Sequence, residues 1–185
     1  MINKTSMLKK ENTVLHIIDI QERIFNVMHN PDFIRENMVR MTKAAHIFNI
    51  PIIWMEQYPK GLGSTIPELN EILSPQKPME KMCFSSCGQS DFNTRLKQEG
   101  RNQILIMGIE AHVCVYQTVS GLLEQGYHVE VIADAVSSRT EKNYEMGLRV
   151  MESLGAKLTT VEMTLFELLE EAGTDEFKQI SKLVK

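Results

Sequence analysis

Residues 104–115 read ILIMGIEAHVCV. An unbroken apolar run reaches a glycine, and Cys114 follows where the pattern turns helical. So continuous a run suits a strand buried on both faces of a parallel sheet rather than one with a wet side. Residues 112–125 then take helical spacing, and Gly126 closes them. A thiol at such a strand-to-helix turn is expected to lie near unpaired backbone N–H groups and the positive end of a helix dipole, both of which favour the thiolate. Cysteine chemistry is therefore the first reading.

Working outward, short apolar runs and helical segments alternate. Val14 to Ile18 ends in Asp19, and Phe33, Ile34, Met38, Met41, Ala45 and Phe48 predict a helix over roughly 31–49. Pro51 opens the run Ile52 to Met55. A loop from Glu56 to Pro67 follows, broken by Pro59, Gly61 and Gly63. A short strand ends near Lys81, and Asp91 is expected to cap a helix reaching Glu99. Val129 to Ala133 and Lys157 to Val161 complete six strands, with helices over 140–154, 163–172 and 174–184. The expected fold is one domain over residues 1–185: a three-layer α/β/α sandwich on a six-stranded, mainly parallel sheet. Ligands in such sheets settle at the carboxyl ends of strands, near a reversal of strand order. Asp19, Glu56, Lys81, Cys114 and Asp134 all fall at or just past predicted strand ends.

Composition excludes several classes. With 185 residues, 43% hydrophobic and 24% charged, the chain can bury a sizeable core. A net charge of −4 leaves no basic surplus for phosphates, so no nucleic-acid partner is expected, and nuclease chemistry would need a basic groove. No apolar stretch is long enough for a bilayer and the first residues lack a signal-like core, so a cytoplasmic protein without a membrane partner is expected. Three cysteines, Cys83, Cys87 and Cys114, are an odd number for a disulfide framework. Neither phosphate-loop nor dinucleotide glycine motifs occur, and no cofactor is expected.

Individually, each residue has an ordinary alternative. Asp19, set among apolar neighbours, is suited to proton transfer because desolvation disfavours its charge, yet it could equally be a loop carboxylate. Lys81 beside a thiol would lower the thiol's pKa, although most lysines are solvated. Cys114 could be a small buried hydrophobe, and Cys83 and Cys87 read best that way. His112 is two residues from Cys114, a spacing that does not share a helix face, and so belongs at the rim.

Taken together, Asp19, Lys81 and Cys114 at three strand ends resemble the catalytic set of the isochorismatase-like cysteine hydrolase superfamily. The marks are Asp-x-Gln at Asp19 and Gln21, Lys-x-x-Phe-Ser at Lys81 to Ser85, and Gly-x-x-x-x-x-Cys at Gly108 to Cys114. Three phrases look closest to the isochorismatase domain-containing proteins: Glu56 to Gly63, Gly108 to Cys114, and Asp134 to Arg139. The resemblance implies Cys114 as nucleophile, Asp19 as proton acceptor and Lys81 as stabiliser of their charge, with a thioester intermediate. It also implies a cis peptide at Ile109-Glu110 and an oxyanion hole from the N–H groups of Glu110 and Cys114. A small-molecule amide or related acyl substrate and a homo-oligomer are expected.

Where nicotinamidases of this superfamily carry an Asp-x-His metal motif, this chain has Glu56-Gln57-Tyr58, so no metal is expected. Gln21, Phe25, Trp54, Tyr58, Phe84 and His112 are candidate substrate contacts by position, each also compatible with the core or a subunit interface. A binding protein without turnover and a thiol redox sensor are the competing readings.

Overall fold

The computed structural model describes residues 7–185. Thr13–Ile18 (β1), Ile52–Gln57 (β2), Met79–Lys81 (β3), Gln103–Ile109 (β4), His128–Ser137 (β5) and Lys157–Thr159 (β6) form one sheet ordered β3-β2-β1-β4-β5-β6. Every pairing in it is parallel. β1, β2 and β4 are buried along their whole length, as coverage of both faces demands.

The helices are Glu22–Phe25 (α1), Pro31–Ile47 (α2), Pro59–Leu62 (α3), Pro67–Leu73 (α4), Ser90–Glu99 (α5), Tyr116–Glu124 (α6), Glu141–Ser153 (α7), Val161–Leu169 (α8) and Asp175–Leu183 (α9). One core layer joins Met38 and Met41 of α2, Leu69 of α4, Leu165 of α8 and Ile180 of α9 to one face of the sheet. The other joins Phe92 and Leu96 of α5, Val119 and Leu122 of α6 and Met151 of α7 to the opposite face. Three α/β/α layers result. Among the described residues no helix is long and apolar enough to cross a membrane.

Strand order reverses beside β1. The chain steps from β1 to β2 and β3, returns past β1 to β4, and continues to β5 and β6. The carboxyl ends of β1 and β4 therefore flank the crevice that open α/β sheets use for ligands.

Four local expectations are corrected. Asp91 lies in the first turn of α5, whose cap position is Gln89. Val161 opens α8 instead of ending β6, because the Thr160 hydroxyl caps it by accepting from the Met163 N–H. Pro67 begins α4, since its missing N–H suits a first helical position. Asp134 is inside β5, which runs to Ser137 after a register shift against β4 between Ile106 and Gly108. Its Oδ1 accepts the Val161 N–H at 2.8 Å, so it braces α8 and does not reach the crevice.

Candidate active site

β1 ends at Ile18, and Asp19 takes φ 55°, a left-handed conformation that aspartate tolerates better than most residues. Lys81 comes from β3, two strands away, and its side chain crosses the end of β2. Its Nζ donates to Asp19 Oδ2 at 2.6 Å, Gln57 Oε1 at 2.8 Å, Phe84 O at 3.0 Å and Cys83 O at 3.3 Å. The ion pair is dry: the Lys81 side chain is 0% exposed and that of Asp19 4%. Asp19 Oδ1 is buried without a conventional hydrogen-bond partner among the described residues.

Cys114 stands in a π-helical turn, Ala111–Val115, between β4 and α6. Its thiol interacts with both Asp19 and Lys81, so the three residues named from the sequence converge. Burial, joined by the Asp19 charge, pushes the thiol up to about 12, and Lys81 offsets this only in part. The expectation of a thiolate prepared by the helix dipole is thereby corrected, since desolvation and a neighbouring carboxylate outweigh it. Asp19 is also raised, by burial first, with Lys81 opposing. Alkylation of Cys114 by iodoacetamide is accordingly expected to rise about tenfold per pH unit with no plateau below pH 10, followed by peptide mass spectrometry. A plateau near pH 7 would show the thiolate already formed.

Thiol and carboxylate open on a cavity of about 100 Å³. Its walls are Ile24, Leu62, Phe84, Ile109 and Val113, and its polar surface comes from Asp19, Gln57, Glu110 and Cys114. A larger hollow of about 450 Å³ lies across β3, lined by Tyr58, Lys60, Glu80, Met82, Cys83 and Gln89 among others, and includes neither Asp19 nor Cys114. We place the chemistry in the smaller one because the reactive groups open there.

The remaining candidates divide sharply. Phe84 lines the cavity, whereas Phe25 and Trp54 are core residues, and the indole N–H of Trp54 donates to Thr65. Tyr58 faces the outer hollow. Gln21 is a brace: its Nε2 donates to the carbonyls of Gln57 and Gly63, and its Oε1 accepts the Gln57 N–H at 2.8 Å. All its capacity is spent on backbone. His112 Nδ1 bonds Ser138 Oγ at 2.9 Å, outside the cavity lining. Cys83 and Cys87 do not line the cavity with Cys114 either. Glu56 Oε1 accepts from the N–H and hydroxyl of Thr65, fixing the loop that brings Leu62 to the wall. Among the described residues no group of three or more His, Cys, Asp or Glu side chains is placed to hold a metal ion.

Gln57, Ile24, Leu62 and Val113 were not anticipated. Gln57 stood in the predicted loop after the second strand, and a lone glutamine carries no chemical signature. Its place between β3 and β1 makes it the bridge to Lys81, and its Nε2 donates to Met82 O.

The Ile109-Glu110 peptide is cis. Glu110 Oε2 accepts from the backbone N–H and Nε of Arg139, and Ser137 Oγ donates to His29 O. The phrase from Asp134 to Arg139 is thus a buttress behind the turn that carries Cys114. Gly147 of α7 lets the helix close on that turn, since an added Cβ would lie 2.9 Å from the Ala111 carbonyl carbon.

His16 anchors the loop after β3 from beneath. Its Nδ1 faces the Ile53 carbonyl at 3.0 Å, which can only accept, so Nε2 is the acceptor for the Ser86 hydroxyl at 2.9 Å. Burial lowers its pKa to about 4. The unfolded chain, with its histidine near 6.5, takes up the proton first, so this contribution to stability is present above pH 6.5 and lost as pH falls to 4. The loss expected is about 3 kcal/mol. Asp19 and Asp134, with raised pKa values, act in the opposite sense. Comparing urea midpoints of the protein and His16→Asn at pH 7.5 and 4.5 isolates the histidine, and equal slopes would refute its role.

Comparisons with known proteins agree with this architecture. Residues 13–163 match the isochorismatase domain. Isochorismatase domain-containing protein 2 of Danio rerio is 36% identical over 177 residues, covering 96% of this chain and 89% of its own. The structure of MAR1 ribonuclease from Caenorhabditis elegans superposes with a TM-score of 0.90 at 38% identity, covering 97% and 92% of the two chains. YcaC from Pseudomonas aeruginosa, solved with hexane-2,5-diol and covalent acrylamide, gives a TM-score of 0.90 at 25% identity over 97% and 92%. The chain belongs to the isochorismatase domain family.

Proposed function

We propose that this protein is a metal-independent cysteine hydrolase of a small amide or related acyl compound. The observation that carries the reading is the buried Lys81–Asp19 ion pair at 2.6 Å with the Cys114 thiol against the same carboxylate at one small cavity. Asp19 takes the thiol proton as sulfur attacks the carbonyl carbon, and Lys81 holds the carboxylate in place. The N–H groups of Glu110 and Cys114 receive the developing oxyanion. The amine leaves with the proton from Asp19, giving a thioester. Asp19 then deprotonates water, which releases the acid and restores the thiol. Independence from metal rests on the residues at the nicotinamidase metal position: Glu56 is committed to Thr65 and Gln57 to Lys81.

Acrylamide is itself a small amide, and its covalent presence on the P. aeruginosa protein supports ligands of that size on this fold. The ribonuclease name of the C. elegans neighbour favours a second reading, phosphodiester cleavage. Among the described residues two acidic side chains and no cationic one line the cavity, which disfavours it. Self-association over the exposed Met82, Phe84 and Tyr58 is part of the proposal.

Intact-protein mass spectrometry with a panel of amides and esters tests the reading. An acyl adduct on Cys114, absent from Cys114→Ala and slow to form in Asp19→Asn, is expected, together with no cleavage of single-stranded RNA. Turnover by Cys114→Ala equal to that of the unaltered protein would sink the mechanism.

A further inference from the structure

The geometry points to a substrate class: short-chain, uncharged aliphatic amides of about four to six non-hydrogen atoms, with substrates bearing a carboxylate or phosphate rejected. The inference rests on the cysteine hydrolase reading and deepens it.

Size comes first. A dry protein cavity of about 150 Å³ accommodates benzene, or about 25 Å³ per carbon atom. The 100 Å³ here therefore encloses about four such atoms, and a few more reach the mouth. Ile24, Leu62, Phe84, Ile109 and Val113 give the enclosed part a hydrocarbon wall, which suits an aliphatic acyl chain.

Charge is the stronger constraint. Among the described residues no lysine, arginine or histidine lines the cavity. Lys81 interacts with the Cys114 thiol and has three N–H groups facing four oxygen acceptors, with none left for a ligand. Arg139 is spent on Glu110. A substrate anion would find no uncommitted cation at this wall, since Lys81 is held by Asp19 and Arg139 by Glu110. The Asp19 carboxyl, already shared by Lys81 and the Cys114 thiol, suits the N–H of a neutral amide better than an anion.

The same arrangement favours release. The reaction R–CO–NH2 + H2O gives R–COO⁻ and NH4⁺, so a neutral molecule enters and an anion is formed where the nearby cations are already committed to Asp19 and Glu110. Weak product inhibition follows.

The experiment measures ammonia release by the full chain from butyramide, isobutyramide, succinamate and benzamide. Butyramide is expected to exceed succinamate by about 100-fold or more in kcat/KM, because succinamate brings an unmatched charge into a buried site and is also larger than the class that fits. Benzamide, too large for the wall, is expected to be at least about tenfold poorer than butyramide, and Leu62→Ala to raise the benzamide-to-butyramide ratio by about tenfold. Butyrate should inhibit only at concentrations about tenfold or more above the KM for butyramide. Cys114-dependent turnover of succinamate within about fivefold of butyramide, or a preference for benzamide, overturns the substrate class while leaving the cysteine mechanism standing. Absence of both ammonia release and any acyl adduct on Cys114 across the wider amide and ester panel overturns the two together.

Discussion

Lys81→Met is expected to destabilise the protein by about 3–5 kcal/mol and to lower kcat/KM by about 10³-fold, because it strands a buried carboxylate. Asp19 Oδ2 has Lys81 as its hydrogen-bond donor, and Oδ1 has no conventional partner. Without the cation, burial acts on Asp19 with less to oppose it and drives its pKa further up from a value already raised. Less of the carboxyl is then ionised and able to accept the thiol proton. Removing both charges behaves differently. Asp19→Leu with Lys81→Met leaves no orphaned ion, so stability returns towards that of the unaltered protein while activity stays lost. Denaturant titration of the two single variants and the double variant measures the coupling. A Lys81→Met cost below about 1 kcal/mol would mean the pair is not the desolvated unit described.

Gly108→Ala is expected to cost about 4 kcal/mol or more, among the largest effects a single methyl group produces. Gly108 has φ 142°, a conformation side chains rarely adopt. An added Cβ would stand 2.2 Å from the Ile18 carbonyl oxygen and 2.8 Å from the Ile18 Cβ, its register partner on β1. A backbone carbonyl in the middle of a sheet cannot move aside as a flexible side chain can. The strands must separate, and Ile18 directly precedes Asp19. Activity is therefore expected to fall further than stability alone accounts for, measured as kcat/KM at a temperature where circular dichroism shows the variant folded. A variant with unchanged midpoint would mean that β1 and β4 do not approach this closely.

Much of the fold was legible because buried parallel strands write themselves as apolar runs. The stretches around Val14, Ile52 and Ile104 each gave a strand within a few residues of its observed ends. Positions that depend on pairing partners were less visible. Asp134 looked like a strand end because polar residues follow it, but a register shift against β4 carries β5 on to Ser137. Asp19, Lys81 and Cys114 carried the family pattern, and their chemistry made them conspicuous. The walls did not stand out, since Ile24, Leu62 and Val113 resemble any other apolar residue until the chain is closed around them.

The sequence alone determined the layered α/β architecture and the family, and it singled out Asp19, Lys81 and Cys114 as candidates, because hydrophobic period and residue chemistry are local properties. Tertiary structure decided what those side chains experience. Only the fold sets Lys81 across the end of β2 onto Asp19, commits Gln21 to bracing Gln57, and buries Trp54 and Phe25 away from the cavity. It also reverses the electrostatic expectation for Cys114, from a dipole-stabilised thiolate to a thiol held at about 12. Desolvation and the proximity of charges depend on what lies within a few ångströms in space, and sequence order does not specify that.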